Sequence, residues 1–198
     1  VSTDEDLSDL FTLLEQSDAG HVPQIQQAIN AVLNTIPADE QLQLVTDKMS
    51  ESSNKNLYYS LLANSKSKQA MDAIINAYEN ETDDNKAAAF EALTGWGKFE
   101  VIYPLLDIAR ESSNKQELEK LTDALVSTVT RSNETGAVKY LYLREAMQFA
   151  QSNAQRNTIL RHIGNTGIYQ AMLYVAPFMD NPALSENAAL AAMNIGTS

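Results

Sequence analysis

The chain has no cysteine, only two histidines, one tryptophan, seven glycines and five prolines among its 198 residues. Without cysteine there is no disulfide scaffold, no thiolate metal site and no cysteine nucleophile. Two histidines far apart in sequence, His21 and His162, leave little for zinc or for an imidazole base. A phosphate-cradling glycine loop, a Gly-Xaa-Ser-Xaa-Gly elbow and a Cys-His pair are all missing. No catalytic residue, cofactor or metal is therefore expected. Long apolar runs are missing as well. The longest candidate, Ala171 to Met179, falls well short of the roughly 20 residues that a membrane-spanning helix needs. No basic-then-apolar segment opens the chain, and a start at Val1 suggests a processed or excised fragment.

What is present is a globular composition, 44% hydrophobic and 20% charged, with a formal net charge of −12. Few prolines and glycines with that apolar content argue against disorder, and the length suits one domain or one short repeat array. The charge is uneven. Residues 1–100 carry 17 acidic and 6 basic side chains, whereas residues 101–198 carry 9 and 8 and include every arginine. An acidic surface repels phosphate backbones and anionic headgroups, which speaks against a nucleic-acid partner.

Apolar residues recur at three- and four-residue spacing nearly throughout, and no stretch alternates as a half-buried strand would. Leu7, Leu10, Phe11 and Leu14 form one face; Ile25, Ala28, Ile29 and Val32 form the next, opened by Pro23. Leu42, Val45 and Met49 follow, and later segments repeat the pattern, giving about twelve helices. The opening residues read as a helix start with Thr3 as N-cap and acids in the first turn. Asp83 and Asp84 likewise precede an alanine-rich helix, where acids complement the dipole. Glycine and asparagine favour the left-handed turn that ends a helix. The candidate stops Asn34, Asn64, Gly97, Asn133, Gly164 and Gly196 are separated by 30, 33, 36, 31 and 32 residues. A period of that size with two helices per repeat is the mark of an α-solenoid. The spacing predicts one domain over 1–198 divided into units near 4–34, 37–64, 67–97, 98–133, 135–164 and 166–196. The expected fold is all-α, a right-handed α-α superhelix of about six helix pairs.

The units also match in content. Ala92-Leu-Thr-Gly-Trp-Gly97 aligns with Ile159-Leu-Arg-His-Ile-Gly164 and with Ala191-Ala-Met-Asn-Ile-Gly196. Pro104-Leu-Leu-Asp107 aligns with Ala73-Ile-Ile-Asn76 and Pro177-Phe-Met-Asp180. With Pro104-Leu-Leu-Asp-Ile-Ala109 in a first helix and Asn85-Lys-Ala-Ala-Ala-Phe-Glu-Ala-Leu-Thr-Gly-Trp-Gly97 in a second, the unit resembles a HEAT repeat. Proline inside the first helix, at Pro104 and Pro177, fits the bend of that family. The last hundred residues carry Arg144-Glu-Ala-Met-Gln-Phe-Ala150 and Ala188-Ala-Leu-Ala-Ala-Met-Asn-Ile195 as well. In this they are similar to HEAT-type regions of secreted or envelope bacterial proteins. Such regions often accompany a concanavalin-like domain of the 3-keto-disaccharide hydrolase family. The fourth unit departs from the pattern: Val126-Ser-Thr-Val-Thr-Arg-Ser-Asn-Glu-Thr135 is more polar than the corresponding family helix. The resemblance implies a periplasmic or secreted setting linked to carbohydrate processing. It carries over no catalytic residues, because the jelly-roll partner domain has no counterpart here.

These features lead to a non-catalytic interaction or scaffold module whose partner is another protein or an adjacent domain. Solenoids bind along the face made by their second helices. Exposed positions there in the fifth and sixth units, among them Arg156, Arg161 and His162, are the candidate partner-binding residues. Trp96 and the tyrosines Tyr58, Tyr59, Tyr103, Tyr140, Tyr142, Tyr169 and Tyr174 read mainly as inter-helix packing, with sugar stacking the alternative for Trp96. The last helix, apolar from Ala188 to Ile195, offers a homodimer surface. The competing functional class is a catalytic HEAT-like solenoid with DNA-base or lyase chemistry, which would need a basic groove or a convergent acid–base set.

Overall fold

A computed structural model of the chain describes residues 3–197, with side chains from Leu7 onward. The described residues form twelve α-helices joined by turns and three short 3-10 segments, with no strand. The helices are α1 (Thr3–Gln16), α2 (Val22–Leu33), α3 (Ala38–Glu51), α4 (Tyr59–Asn64), α5 (Lys68–Asn80) and α6 (Asp83–Thr94). They continue with α7 (Ile102–Glu111), α8 (Lys115–Arg131), α9 (Gly136–Phe149), α10 (Asn153–Gly164), α11 (Ala171–Val175) and α12 (Ser185–Gly196). The helices group into two compact units, residues 1–96 and 97–198.

The helical spacing in the sequence is the spacing of the core. Leu7, Phe11 and Leu14 of α1 and Ile25, Ile29 and Leu33 of α2 are buried at i, i+4 and i+7 or i+8. Pro23 sits at the start of α2, where its missing N–H has no partner to lose. In α3 the inner face is Gln41 and Val45, with Leu42 and Met49 half-buried. Buried Gln41 satisfies its amide by donating to the Ile36 carbonyl at 2.9 Å. Ser67, Asn114, Thr135 and Ser152 cap α5, α8, α9 and α10, each accepting from a backbone N–H two or three residues on. Asp83 and Asp84 do occupy the first turn of α6. The capping role expected of Thr3 falls on a side chain outside those described.

Within each unit, consecutive helices pack as pairs and second helices touch second helices. In the first unit, α1 pairs with α2 and α5 with α6, while α4 lies against both α2 and α6. In the second, α7 pairs with α8, α9 with α10 and α11 with α12, and α10 lies between α8 and α12. Both prolines singled out in first helices sit where α-helix and 3-10 helix meet. Pro104 lies in the first turn of α7 after the 3-10 segment Phe99–Val101, and Pro177 lies in the 3-10 segment Ala176–Asp180 that ends α11.

The expected left-handed stops are corrected by the backbone. Helices end at or within three residues of all six positions, but only Gly97 has positive φ, at 74°. Asn34 is right-handed helical at φ −65°, and Asn64 and Gly164 are the last residues of their helices. These residues act sideways instead. The Asn64 amide donates to Asn34 Oδ1 at 3.0 Å, and Asn194 donates to Asn165 Oδ1 at 3.4 Å, each linking the ends of neighbouring second helices. Gly164 lets α10 approach α12: a Cβ there would stand 2.7 Å from Ala191 Cα and 3.0 Å from its Cβ.

Gly164→Ala should therefore push two helices apart and destabilise the second unit by roughly 1–3 kcal/mol, the usual cost of overpacking. Gly196→Ala has only the Met172 methyl within reach, at 3.4 Å, and should be near neutral. Urea unfolding of the two variants against the parent chain measures both.

Candidate functional site

A cavity in the second unit runs between α8 and α10, with a volume of about 500 Å³. The polar residues along α8 recur at helical spacing: Glu119, Thr122 and Asp123, then Ser127, then Thr130 and Arg131. They form one stripe that faces Gln155, Thr158 and His162, themselves three and four residues apart on α10. Gln155 is the tie across the groove. Its Nε2 donates to the Glu119 carbonyl at 2.9 Å and to Asp123 Oδ1 at 2.8 Å, while its Oε1 accepts from the Gln151 N–H at 2.9 Å. The Thr122 and Thr130 hydroxyls donate back to the carbonyls of Leu118 and Val126, as threonines within a helix do.

The charges are ordered along the groove. On α8, Glu119 lies in the N-terminal half, Asp123 at the middle and Arg131 at the C-terminus. On α10, His162 is in the last turn. Arg131, in the last turn of α8, stands where the helix dipole favours a positive charge. None of Glu119, Asp123 and Arg131 belongs to an ion pair among the described residues. Burial, reinforced by the adjacent Arg161 charge, holds the His162 imidazole below its usual 6.5, so near neutral pH it is uncharged.

The three candidate residues go to three different environments. His162 lines the groove. Arg161 is exposed on α10 but outside the lining. Arg156 is half-buried and engaged: its guanidinium donates to the Ala150 carbonyl at 2.7 Å and to Asn153 Oδ1 at 3.3 Å, fastening the turn between α9 and α10. The structure adds Glu119, Asp123, Arg131 and Thr158, which sequence reasoning did not select. Of these only Arg131 had a signal, the unusual polarity from Val126 to Thr135, of which Val126, Ser127, Thr130 and Arg131 all line the groove.

Other features divide between packing and surface. Trp96 is 2% exposed, with Lys66 over its ring at 5.0 Å, which takes sugar stacking out of consideration. Tyr58 and Tyr59 are buried, whereas Tyr103 and Tyr169 are 64% and 72% exposed. Tyr142 donates to Tyr103 Oη at 2.9 Å, and that hydrogen bond, helped by burial, pushes its pKa up to about 12. Arg144 lies over the rings of Tyr140 and Tyr174 at 5.4 and 5.1 Å. In the first unit a smaller cleft of about 300 Å³ borders Glu15. Burial alone would raise the Glu15 pKa, but hydrogen bonds from Ser52, Tyr58 and Asn54 outweigh it and hold the carboxyl below its ordinary value. The Tyr58 hydroxyl donates to it at 2.6 Å. On α12, Ala188, Ala191 and Ile195 are buried while Leu190 and Met193 point outward. Among the described residues there is no cluster of three His, Cys, Asp or Glu placed to hold a metal. Among the described residues no helix is long and apolar enough to cross a membrane.

The depressed His162 pKa sets a pH dependence. A base held below its unfolded value leaves stability intact above pH 6.5 and subtracts from it as pH falls through 6.5 toward the folded pKa, because the unfolded chain takes the proton first. Replacing His162 by Gln should flatten that part of the acid limb. Melting temperatures of parent and variant from pH 7.5 to 5 should diverge only below 6.5.

Compared in turn with known families, with curated proteins and with solved structures, the chain matches none.

Proposed function

We propose that this chain is a non-catalytic protein-interaction module: a right-handed α-α solenoid of six HEAT-like helix pairs that binds its partner along the second helices. The observation that carries this reading is the α8–α10 groove. Its charged side chains form no ion pair among the described residues, and the Gln155 amide bridges its walls. Helix pairing within each unit and the contact of successive second helices are what a solenoid requires. The resemblance of the C-terminal hundred residues to HEAT regions of secreted bacterial proteins supports a periplasmic or secreted setting. There the module would position a protein partner, or an adjacent carbohydrate-active domain of the same chain.

Two measurements test the reading. A six-pair solenoid is elongated, so small-angle scattering should return a radius of gyration above the ~16 Å of a compact domain of this length. A value at that figure would overturn the solenoid. The immobilised chain should retain a specific protein from an envelope extract, and Thr158→Trp, which fills the groove from α10, should lose it without lowering the melting temperature. Equal retention by the filled variant, or no retention by the parent chain, would overturn the groove as the binding face.

A further inference from the structure

The geometry points to an extended polypeptide segment of defined charge polarity as the occupant of the α8–α10 groove, with a basic residue at the Glu119–Asp123 end and an acidic residue at the Arg131 end. This rests on reading the groove as the binding face and adds to it the chemistry of the partner.

The argument starts from what the walls leave unsatisfied. Glu119 and Arg131 are exposed and without an ionic partner among the described residues. One Asp123 oxygen takes the Gln155 amide, and the carboxylate retains its charge for a second donor. Between the charged ends lie Ser127 and Thr158, whose hydroxyls make no hydrogen bond among the described residues and offer both a donor and an acceptor. That sequence of groups, an anion, neutral hydroxyls and a cation, complements a chain that presents a cation, peptide N–H and C=O groups, and an anion.

The same pattern disfavours the other occupants. A polyanion such as nucleic acid would meet two carboxylates at one end, and its phosphates would find a single arginine at the other. A glycan would find hydroxyls, but no Phe, Tyr or Trp side chain lines the groove for a sugar ring to stack on. An apolar helix would find Val126 and Ala154 as the only apolar side chains in the lining.

Length gives the register. Glu119 and Arg131 are twelve residues apart on one helix, about 18 Å at 1.5 Å per residue. Asp123 and Arg131 are eight apart, about 12 Å. An extended chain advances roughly 3.3 Å per residue, so its basic and acidic residues should be about four to six positions apart.

Selection of random dodecapeptides on the intact 198-residue chain tests this without assuming a sequence. The expected result is enrichment of peptides carrying Lys or Arg four to six positions from Asp or Glu, with binding lost in Thr158→Trp. A selected peptide is then paired with Glu119→Gln and Arg131→Gln, both at exposed positions where the fold has nothing to lose. In double-mutant cycles, Glu119 should couple to the peptide's basic residue and Arg131 to its acidic residue, each by roughly threefold in Kd as expected of exposed ion pairs, with no cross-coupling. Peptides that bind in the groove without that spacing or coupling would overturn the polarity and leave the groove reading intact. Selected peptides still held by Thr158→Trp would overturn the groove itself. No peptide selected, with oligosaccharides retained by the parent and lost in Thr158→Trp, would replace the polypeptide by a glycan.

Discussion

Everything in the second unit depends on how closely one second helix can approach the next. A helix pair has a single apolar stripe and cannot bury it alone, so each pair must lean on its neighbour. On one side of α10 this is achieved by deleting a side chain: Gly164 admits the Ala191 backbone and closes the α10–α12 contact without a gap. On the other side, toward α8, the contact is made by the long amide of Gln155, which reaches across to Glu119 and Asp123 and holds the helices apart at the length of a side chain. A small residue closes one contact and a long polar residue props the other open. The groove is the consequence of that difference, and its polar lining follows because a wall that faces solvent has no apolar stripe to bury.

The fold was legible where the argument rested on periodicity, and less so where it rested on a single residue's conformation. Leu7, Phe11 and Leu14, or Ile25 and Ile29, can be assigned to the core by spacing because burial is a property of a whole helix face. The six helix ends were likewise marked by Asn and Gly, but for a reason the sequence does not display. Asn34, Asn64, Asn165 and Asn194 join neighbouring helix ends through their amides, and Gly164 serves a contact 27 residues away in the chain. Left-handed capping is a local rule, and lateral contacts between neighbouring helices override it. Both mechanisms favour the same residue types, so helices end at or near the six marked positions although the mechanism differs at most of them.

The candidate site was legible in one residue and not in its other members. Second helices of the fifth and sixth units were the expected binding face, whereas the groove lies between those of the fourth and fifth, and of the expected residues His162 lines it. Arg156 looks identical to a free surface cation in the sequence, and only the position of the Ala150 carbonyl shows that it is committed to a turn. Glu119 and Asp123 were missed because acids on a helix are ordinarily solvated, and nothing in the spacing reveals that Gln155 lies opposite them. The polar run from Val126 to Thr135 was visible as a departure from the repeat pattern. It departs because Ser127, Thr130 and Arg131 face a cavity where other units place apolar side chains against a neighbour.

The distribution of arginine sharpens the same point. All five lie in the second unit, a half that is almost neutral, and three of them have structural work within it. Arg110 pairs with Asp107 and Glu145, Arg144 lies over Tyr140 and Tyr174, and Arg156 secures the turn before α10. Arg131 and Arg161 alone have no such partner among the described residues. Arg131 borders the α8–α10 groove, whose lining also includes the half-buried His162 imidazole, which burial holds below its usual pKa. A guanidinium without an ion pair retains its attraction for an incoming carboxylate. The carboxylates that might have quenched it in place, Asp123 and Glu119, are about two and about three helical turns away and already spaced by the helix itself. Charge separation along α8 is thus maintained by the rigidity of the backbone, and that rigidity gives the groove a direction.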